Sequence, residues 1–339
     1  MKYVLAPLAG FTNAPLRLVC GGYGASLAYT EMVSAAGLAH GSSPTRHLME
    51  TMPGEGPVIC QIFGAVPDEL AFAAREATAL DRFAGIDLNA GCPMPNIVRE
   101  GAGAALGARP PLVHDCLKAI AAETSLPVSV KIRLGTRPDR VLMFELLAAA
   151  EDAGCAGVTL HARFTSQKHS GPAHLDLLAQ FVQKARIPVT GNGGVYNPTT
   201  AAAMAQTGVS AIMVGRAALA NPWLFADLVN GGAPEELETP ERRVAMQDRT
   251  FDAHLAALLE FHAQLARNFP SDHIGSLDDF VTAAFRTQLF RYFNGRPSAA
   301  ELRRRLNTIH TIAEAKALVA AFRGDLSPAL HGVEDVEPK

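Results

Sequence analysis

From residue 1 to about 228, short apolar runs alternate with amphipathic stretches. The runs are Tyr3–Ala6, Ser26–Thr30, Val58–Ile62, Ile86–Asn89, Val128–Ile132, Gly157–Leu160, Ile187–Thr190 and Ala211–Val214. Each is rich in Val, Ile or Leu and shows little polar alternation, the pattern of strands buried on both faces of a parallel sheet. Between most of them, apolar positions recur at helical spacing, as in Asp68–Leu80, Leu112–Glu123, Arg140–Ala153 and Leu175–Ala185. Eight strand segments with intervening helices in about 225 residues predict an α/β fold of the (β/α)8 TIM-barrel type. An open doubly wound sheet is the alternative.

The pattern then changes. Asn230-Gly-Gly-Ala-Pro234 is rich in turn residues, and Thr239-Pro240 reads as an N-cap with Pro at the first helical position. Beyond it the periodicity is helical throughout. Ser298 with Glu301, and Thr311 with Glu314, have capping-box spacing. The expected organisation is a catalytic barrel over 1–228, a linker over 229–239, a small helical domain over 240–324 and a flexible polar tail over 325–339.

Composition adds limits. The 339 residues are 48% hydrophobic and 19% charged, which excludes a disordered chain. Thirty Lys and Arg against 33 Asp and Glu leave a net charge of −3, so the chain is not a uniformly basic nucleic-acid coat. Five scattered cysteines, never spaced as CxxC, point to reduced thiols in a cytoplasm. The first residues are too interrupted by Pro7 and Gly10 for a signal peptide, and no apolar run is long enough to span a membrane.

In a barrel the chemistry gathers at the C-terminal ends of the strands. There the sequence places Pro7, Leu8 and Ala9, then Gln61, then Asn89 and Cys92, then Lys131 and Arg133. His161 and Arg163, Asn192, Gly193 and Gly194, and Gly215 and Arg216 follow. The glycine pairs after the seventh and eighth strands suit a phosphate, because backbone N–H groups can approach it and Arg216 adds a charged fork. Taken singly they are ordinary turns. Cys92, on a mouth loop between Gly91 and Pro93, can be nucleophile, general acid or structural thiol. Lys131 inside an apolar strand needs an anionic partner or a shifted pKa; an ion pair with Asp87 or Glu31 is the plain reading. His161 alone would pass for a core histidine, but Arg163 two residues on projects to the same side.

A second charge signal lies in the helical region. Between residues 286 and 323 there are eight cations against two anions. They include Arg286, Arg291, Arg303, Arg304 and Arg305, with Phe290, Tyr292 and Phe293 interleaved. Arginine and aromatic residues together suit RNA, although most charge runs are solvated helix faces.

These residues together resemble the tRNA-dihydrouridine synthases, FMN-containing barrels with a C-terminal helical RNA-binding domain. The matching segments run in family order. They are Ala6-Pro-Leu-Ala-Gly-Phe-Thr-Asn-Ala-Pro-Leu-Arg17, Thr30-Glu-Met-Val-Ser-Ala35, Asp87-Leu-Asn-Ala-Gly-Cys-Pro93 and Val130-Lys-Ile-Arg133. Thr159-Leu-His-Ala-Arg163, Gly191-Asn-Gly-Gly194 and Val214-Gly-Arg-Ala217 complete the barrel, and Phe293-Asn-Gly and Glu301-Leu-Arg-Arg-Arg-Leu-Asn307 extend the match. The resemblance implies that Pro7, Leu8, Ala9 and Gln61 line an FMN ring, with Lys131 and His161 facing it. It implies that Asn192, Gly193, Gly194, Gly215 and Arg216 hold the phosphate. Cys92 would give a proton to C5 of uracil as hydride reaches C6, Asn89 would help orient the base, and NADPH would be the reductant. Arg99, Arg133, Arg163, Arg286, Arg291 and Arg303–Arg305 would contact RNA, with tRNA foremost, and the chain would act as a cytoplasmic monomer.

The chain departs from the family where Met94-Pro95-Asn96 replaces basic residues after Cys-Pro, where Gly194 replaces an Asp and where Phe164 replaces a Thr. The alternatives are an FMN-dependent dehydrogenase of a free pyrimidine or other small molecule, a dihydrouridine synthase acting on ribosomal RNA, and an RNA-binding factor without catalysis.

Overall fold

The structure is a computed structural model that describes residues 1–231 and 239–324. Eight parallel strands close into a barrel: β1 (Lys2–Leu5), β2 (Leu27–Tyr29), β3 (Val58–Phe63), β4 (Gly85–Asn89), β5 (Val128–Arg133), β6 (Gly157–His161), β7 (Val189–Asn192) and β8 (Ala211–Val214). Closure comes from β1, which pairs with β8 from Lys2↔Ala211 to Leu5↔Val214 and with β2 at Val4↔Leu27. The ring is completed where β2 meets β3 at Ala28↔Val58. The strand order excludes the open doubly wound sheet.

Helices follow the strands: α1 (Ala14–Gly22), α2 (Pro67–Ala79), α3 (Pro110–Ala122), α4 (Met143–Asp152), α5 (Leu175–Lys184), α6 (Pro198–Ala205) and α7 (Leu224–Asn230). Their starts are locally encoded. Asn13 accepts from Leu16 N at 3.1 Å to cap α1, and Asn197 accepts from Thr200 N at 2.8 Å to cap α6.

Alternation along each strand assigns two faces. On β5, Val130 and Ile132 are fully buried, while Ser129, Lys131 and Arg133 occupy the other face. The barrel interior is itself divided. Val4, Ala6, Tyr29, Ala211 and Met213 from β1, β2 and β8 form an apolar cluster. The inward positions of β3 to β7 are mostly polar instead, Ile59 being an exception that packs against this cluster. The strands therefore alternate more than their composition suggests, since apolar and polar residues are both buried.

Two expected elements shift. The seventh strand, expected over Ile187–Thr190, runs over Val189–Asn192. Pro188 precedes it and its carbonyl accepts from Val158 N at 3.0 Å, while the ladder continues to Asn192 against both His161 and Met213. The helix expected from Arg140 starts at Met143, because Arg140–Val141 pairs with Gly135–Arg137 in a short antiparallel ribbon.

The chain divides into two units, Met1–Ala218 with Leu224–Gly231, and Leu219–Trp223 with the residues after Gly231. The described part of the second unit holds α8 (Pro240–Asn268), α9 (Leu277–Thr287), the 3-10 turn Leu289–Phe293, α10 (Ala299–Leu306) and α11 (Ile312–Gly324). Its core includes Phe251, Leu258, Phe285, Tyr292, Phe293 and Leu302. Burial of each such side chain contributes about 1.5–3 kcal/mol. Thr239 caps α8, its Oγ1 accepting from Arg242 N at 3.3 Å. The Thr311–Glu314 box forms in both directions, at 3.2 and 3.1 Å. The Ser298–Glu301 box does not: Ser298 sits at φ 61, outside the extended conformation a cap needs, and Glu301 pairs with Arg304. Residues 232–238 of the expected linker and the expected tail, 325–339, lie outside the described residues. Among the described residues, no helix is long and apolar enough to cross a membrane.

Candidate active site at the barrel mouth

The inward polar positions of β3 to β7 adjoin one another through strand register. Gln61 lies beside Asp87, Asp87 beside Ser129, Asn89 beside Lys131, and His161 beside Asn192. Asp87 is fully buried and accepts from Ser129 Oγ at 2.6 Å and Gln61 Nε2 at 2.7 Å. Burial pushes its carboxyl up to about 6, opposed by the bonds from Ser129 and Gln61 and by the charge of Lys131. Gln61 Oε1 in turn accepts from Asn89 Nδ2 at 3.0 Å. Asn89 Oδ1 accepts from the backbone N–H groups of Gly91 at 3.2 Å and Cys92 at 3.0 Å.

Asn89 thus fixes the loop that carries Cys92. The thiol is half-buried and packs with Met32 against Phe63, Ile97 and Ala102. Burial raises its pKa, while the Met94 N–H, Arg133 and Lys131 act in the other direction. The thiol therefore stays protonated at neutral pH. The other four cysteines are buried.

Four cations gather at the ends of β5, β6 and β8 with neutral partners. Lys131 Nζ donates to Asn192 Oδ1 at 2.9 Å, and Asn192 is held by its own bond to Met213 O at 2.9 Å. Arg133 donates to the carbonyls of Gly91, Phe164 and Lys168 at 2.8, 3.2 and 2.8 Å. Arg163 donates to Gly171 O at 3.0 Å and Arg216 to His169 O at 3.4 Å. The pKa values record this crowding. Burial, then the Arg133 charge, lowers Lys131 to about 8. Burial, then Lys131, Arg133, Arg163 and His169, pushes His161 well below its ordinary value, so its ring is neutral at pH 7. Such a group of cations is a site for an anion.

The glycine pair shapes the same place. Gly193 and Gly194 sit at φ 113 and 77, conformations that L side chains rarely adopt. A Cβ on Gly193 would come within 2.7 Å of His161 Cδ2 and 3.3 Å of Arg163 Nη1. The missing side chain leaves space beside two of the groups that would meet an anion. A glycine cradle, cationic side chains with neutral partners and a strand-end position together fit a phosphate.

The remaining predicted residues are placed as follows. Pro7 and Leu8 are half-buried and Ala9 exposed just after β1, and Gly215 with Arg216 follows β8. Arg99 is exposed at the end of the short helix Pro95–Arg99. Gln61 is wholly buried and bonded at both ends of its amide. Glu31 is not the partner of Lys131; its carboxylate accepts from Gly10 N. Asp87 touches Lys131 through charge and not as a direct ion pair.

Three arginines expected on RNA have other tasks, and one of them, Arg163, is buried and donates to Gly171 O within the mouth. Arg133 is 4% exposed and braces loop carbonyls inside the mouth. In the second unit Arg286 is half-buried and donates to Leu306 O and Ile309 O, which ties the end of α10 down. Of the others, Arg291 is half-buried over Phe290, while Arg303, Arg304 and Arg305 are exposed on α10. Arg303 lies 4.4 Å above the Phe290 ring. Asp87 and Ser129 are the site residues that motif reading missed as such. Their signal is spacing: Asp87 is two positions before Asn89, and Ser129 two before Lys131, hence on the same inward face.

The model of the dihydrouridine synthase (Dus) family matches residues 4–325. The chain is 34% identical over 307 residues to tRNA-dihydrouridine synthase B of Shewanella oneidensis, covering 88% of this chain and 92% of that protein. It is 36% identical over 265 residues to tRNA-dihydrouridine synthase B of Xanthomonas axonopodis pv. citri, covering 78% and 79%. A protein of Mycobacterium tuberculosis described as a probable tRNA-dihydrouridine synthase is 32% identical over 333 residues, covering 95% and 82%.

Proposed function

The chain belongs to the dihydrouridine synthase family, and from that membership we propose that it reduces uridine in tRNA to 5,6-dihydrouridine with Cys92 as the proton donor. A flavin at the mouth, FMN with NADPH as its reductant, supplies the hydride when bound. The observation that carries the reading is the pairing of two features on one mouth. One is a protonated thiol on a loop held by Asn89; the other is the cationic, glycine-lined phosphate cradle.

The chain's own residues then divide the work. Gly193, Gly194, Gly215, Arg163 and Arg216 hold the phosphate, with Asn192 beside them. Pro7, Leu8 and Ala9 would line the ring; Gln61, expected beside them, is wholly buried with both ends of its amide bonded and stands behind the mouth instead. Lys131 would supply positive charge to an anionic, reduced flavin, and such an anion would favour its charged form. His161 is neutral and can give or take a hydrogen bond without adding a fifth charge. Cys92 gives its proton to C5 of the uracil as C6 accepts hydride. The thiolate left behind faces the Met94 N–H, Arg133 and Lys131, each of which lowers its energy. A stacked uridine cannot reach such a site, so the base must leave its stack.

Exposed Arg303, Arg304 and Arg305, with half-buried Arg291, suit phosphate contacts on the helical unit, and Arg99 suits the same role beside Cys92. The same reading puts the enzyme in the cytoplasm as a monomer, and its free cysteines suit a reducing compartment. Replacing Cys92 by Ala tests the reading. Dihydrouridine formation on tRNA should fall by roughly a thousandfold while the protein remains yellow. Wild-type activity in that variant refutes the acid assignment, and faster oxidation of the reduced protein by free uridine than by tRNA points to a small-molecule substrate.

A further inference from the structure

We propose that Asp87 is a positioning residue for Cys92, acting through the side-chain amides of Gln61 and Asn89. The inference rests on the reading of Cys92 as the acid. The structural connection itself runs from Asp87 to the Cys92 backbone and involves no bound group.

A buried amide can face either way, and its surroundings must decide which end donates. A carboxylate only accepts. Asp87 Oδ2 therefore requires the Nε2 end of Gln61, 2.7 Å away. That choice turns Gln61 Oε1 toward Asn89, where it accepts from Nδ2 at 3.0 Å. Asn89 is left with Oδ1 facing the N–H groups of Gly91 and Cys92 at 3.2 and 3.0 Å. Reversing either amide would bring two donors or two acceptors face to face at both of its ends. The Asp87 carboxylate at one end and the Gly91 and Cys92 N–H groups at the other thus require the same two amide orientations, and the carboxylate anchors the chain that seats the reactive loop.

Asp87 is suited to start such a chain. It is wholly buried, one inward position below Asn89 on β4, and its other oxygen is occupied by Ser129 Oγ at 2.6 Å. With a pKa of about 6 it is a carboxylate at neutral pH, and so accepts only. Wholly buried and bonded through both oxygens, it has no face to offer the base.

The test uses the full-length, flavin-loaded protein and reads iodoacetamide labelling of Cys92 by mass spectrometry. The four buried cysteines report any loss of folding. Asp87→Ala should label Cys92 about tenfold faster as the loop loosens. Its kcat on tRNA should fall about thirtyfold with KM unchanged, since a small misplacement of the acid is costly. Asp87→Asn should stay within about twofold of wild type in both measures, because its oxygen can still accept from Gln61 while its amide donates to Ser129. Gln61→Met should label like Asp87→Ala, and the double variant no faster than either single one. Wild-type labelling and kcat in Asp87→Ala overturn the proposal. So does an Asp87→Asn variant as impaired as Asp87→Ala, which would assign the effect to charge opposite Lys131. If Asp87→Ala exposes its buried cysteines, Gln61→Met decides alone, and wild-type labelling there overturns the proposal. The labelling result stands whether or not Cys92→Ala abolishes activity, so the two readings fail separately.

Discussion

The mouth of the barrel and the helical unit both concentrate arginine, and they use it in opposite ways. At the mouth Lys131, Arg133, Arg163 and Arg216 bond to an amide oxygen and to backbone carbonyls, and they lower one another's pKa values or those of the neighbouring histidines. In the helical unit Arg296 is buried against Asp248 at 2.8 Å, and Arg323 forms ion pairs with Asp248 and Asp252 at 3.0 Å each. Arg296 also lies 5.1 Å above the Phe293 ring. The first set holds charge in reserve for an anion. The second is partly structural, and its exposed members, among them Arg303, Arg304 and Arg305 on α10, remain for a partner. A count of charges along the chain cannot separate the two uses, because both are written with the same residue.

The largest effect is expected at Arg296, the buried structural cation of the helical unit. Replacing it by Ala should lower stability in urea by about 3 kcal/mol, since Asp248 and Gln247 lose a buried partner, while flavin absorbance is kept. A neutral result would move Arg296 into the exposed class. Next in size, reversing Arg303, Arg304 and Arg305 to Glu should weaken tRNA binding about thirtyfold at low salt and flatten its salt dependence by about three units of slope. Unchanged binding would place the RNA elsewhere. At the mouth, Gly193→Ala should cost about tenfold in flavin affinity, from positive φ and the contact with His161, as read by fluorescence titration.

The smallest effect sharpens the picture of charge held in reserve. The Lys131 pKa is depressed to about 8, so raising the pH through 8 removes its charge. An anion favours the charged form. Flavin affinity should therefore fall about fivefold between pH 7 and 9 in the wild type, and stay flat in Lys131→Met. A flat wild-type profile would take Lys131 out of the anion site.

Much of this architecture was legible in the chain. Val, Ile and Leu runs marked eight strands, and the residues after each run marked the mouth. The seventh run misled by two positions, because Ile187 and Pro188 are apolar yet precede the ladder, whereas Gly191 and Asn192 continue it. Thr311 formed its capping box and Ser298 did not, though their spacing to Glu is identical; a left-handed backbone at Ser298 decided the matter. Arg133 and Arg286 look like contacts on a charge map, and both turn inward to carbonyls.

What the sequence determined by itself is the order of elements and the set of groups that reach one rim. Those follow from periodicity, which is local. Tertiary structure alone decided which way the Gln61 and Asn89 amides face, and which cations lack a carboxylate. It also decided how far burial moves Asp87, Lys131 and Cys92 from their ordinary pKa values. The reason is physical: hydrogen-bond direction, charge crowding and desolvation depend on distances between strands far apart in the chain, and no spacing along it encodes them.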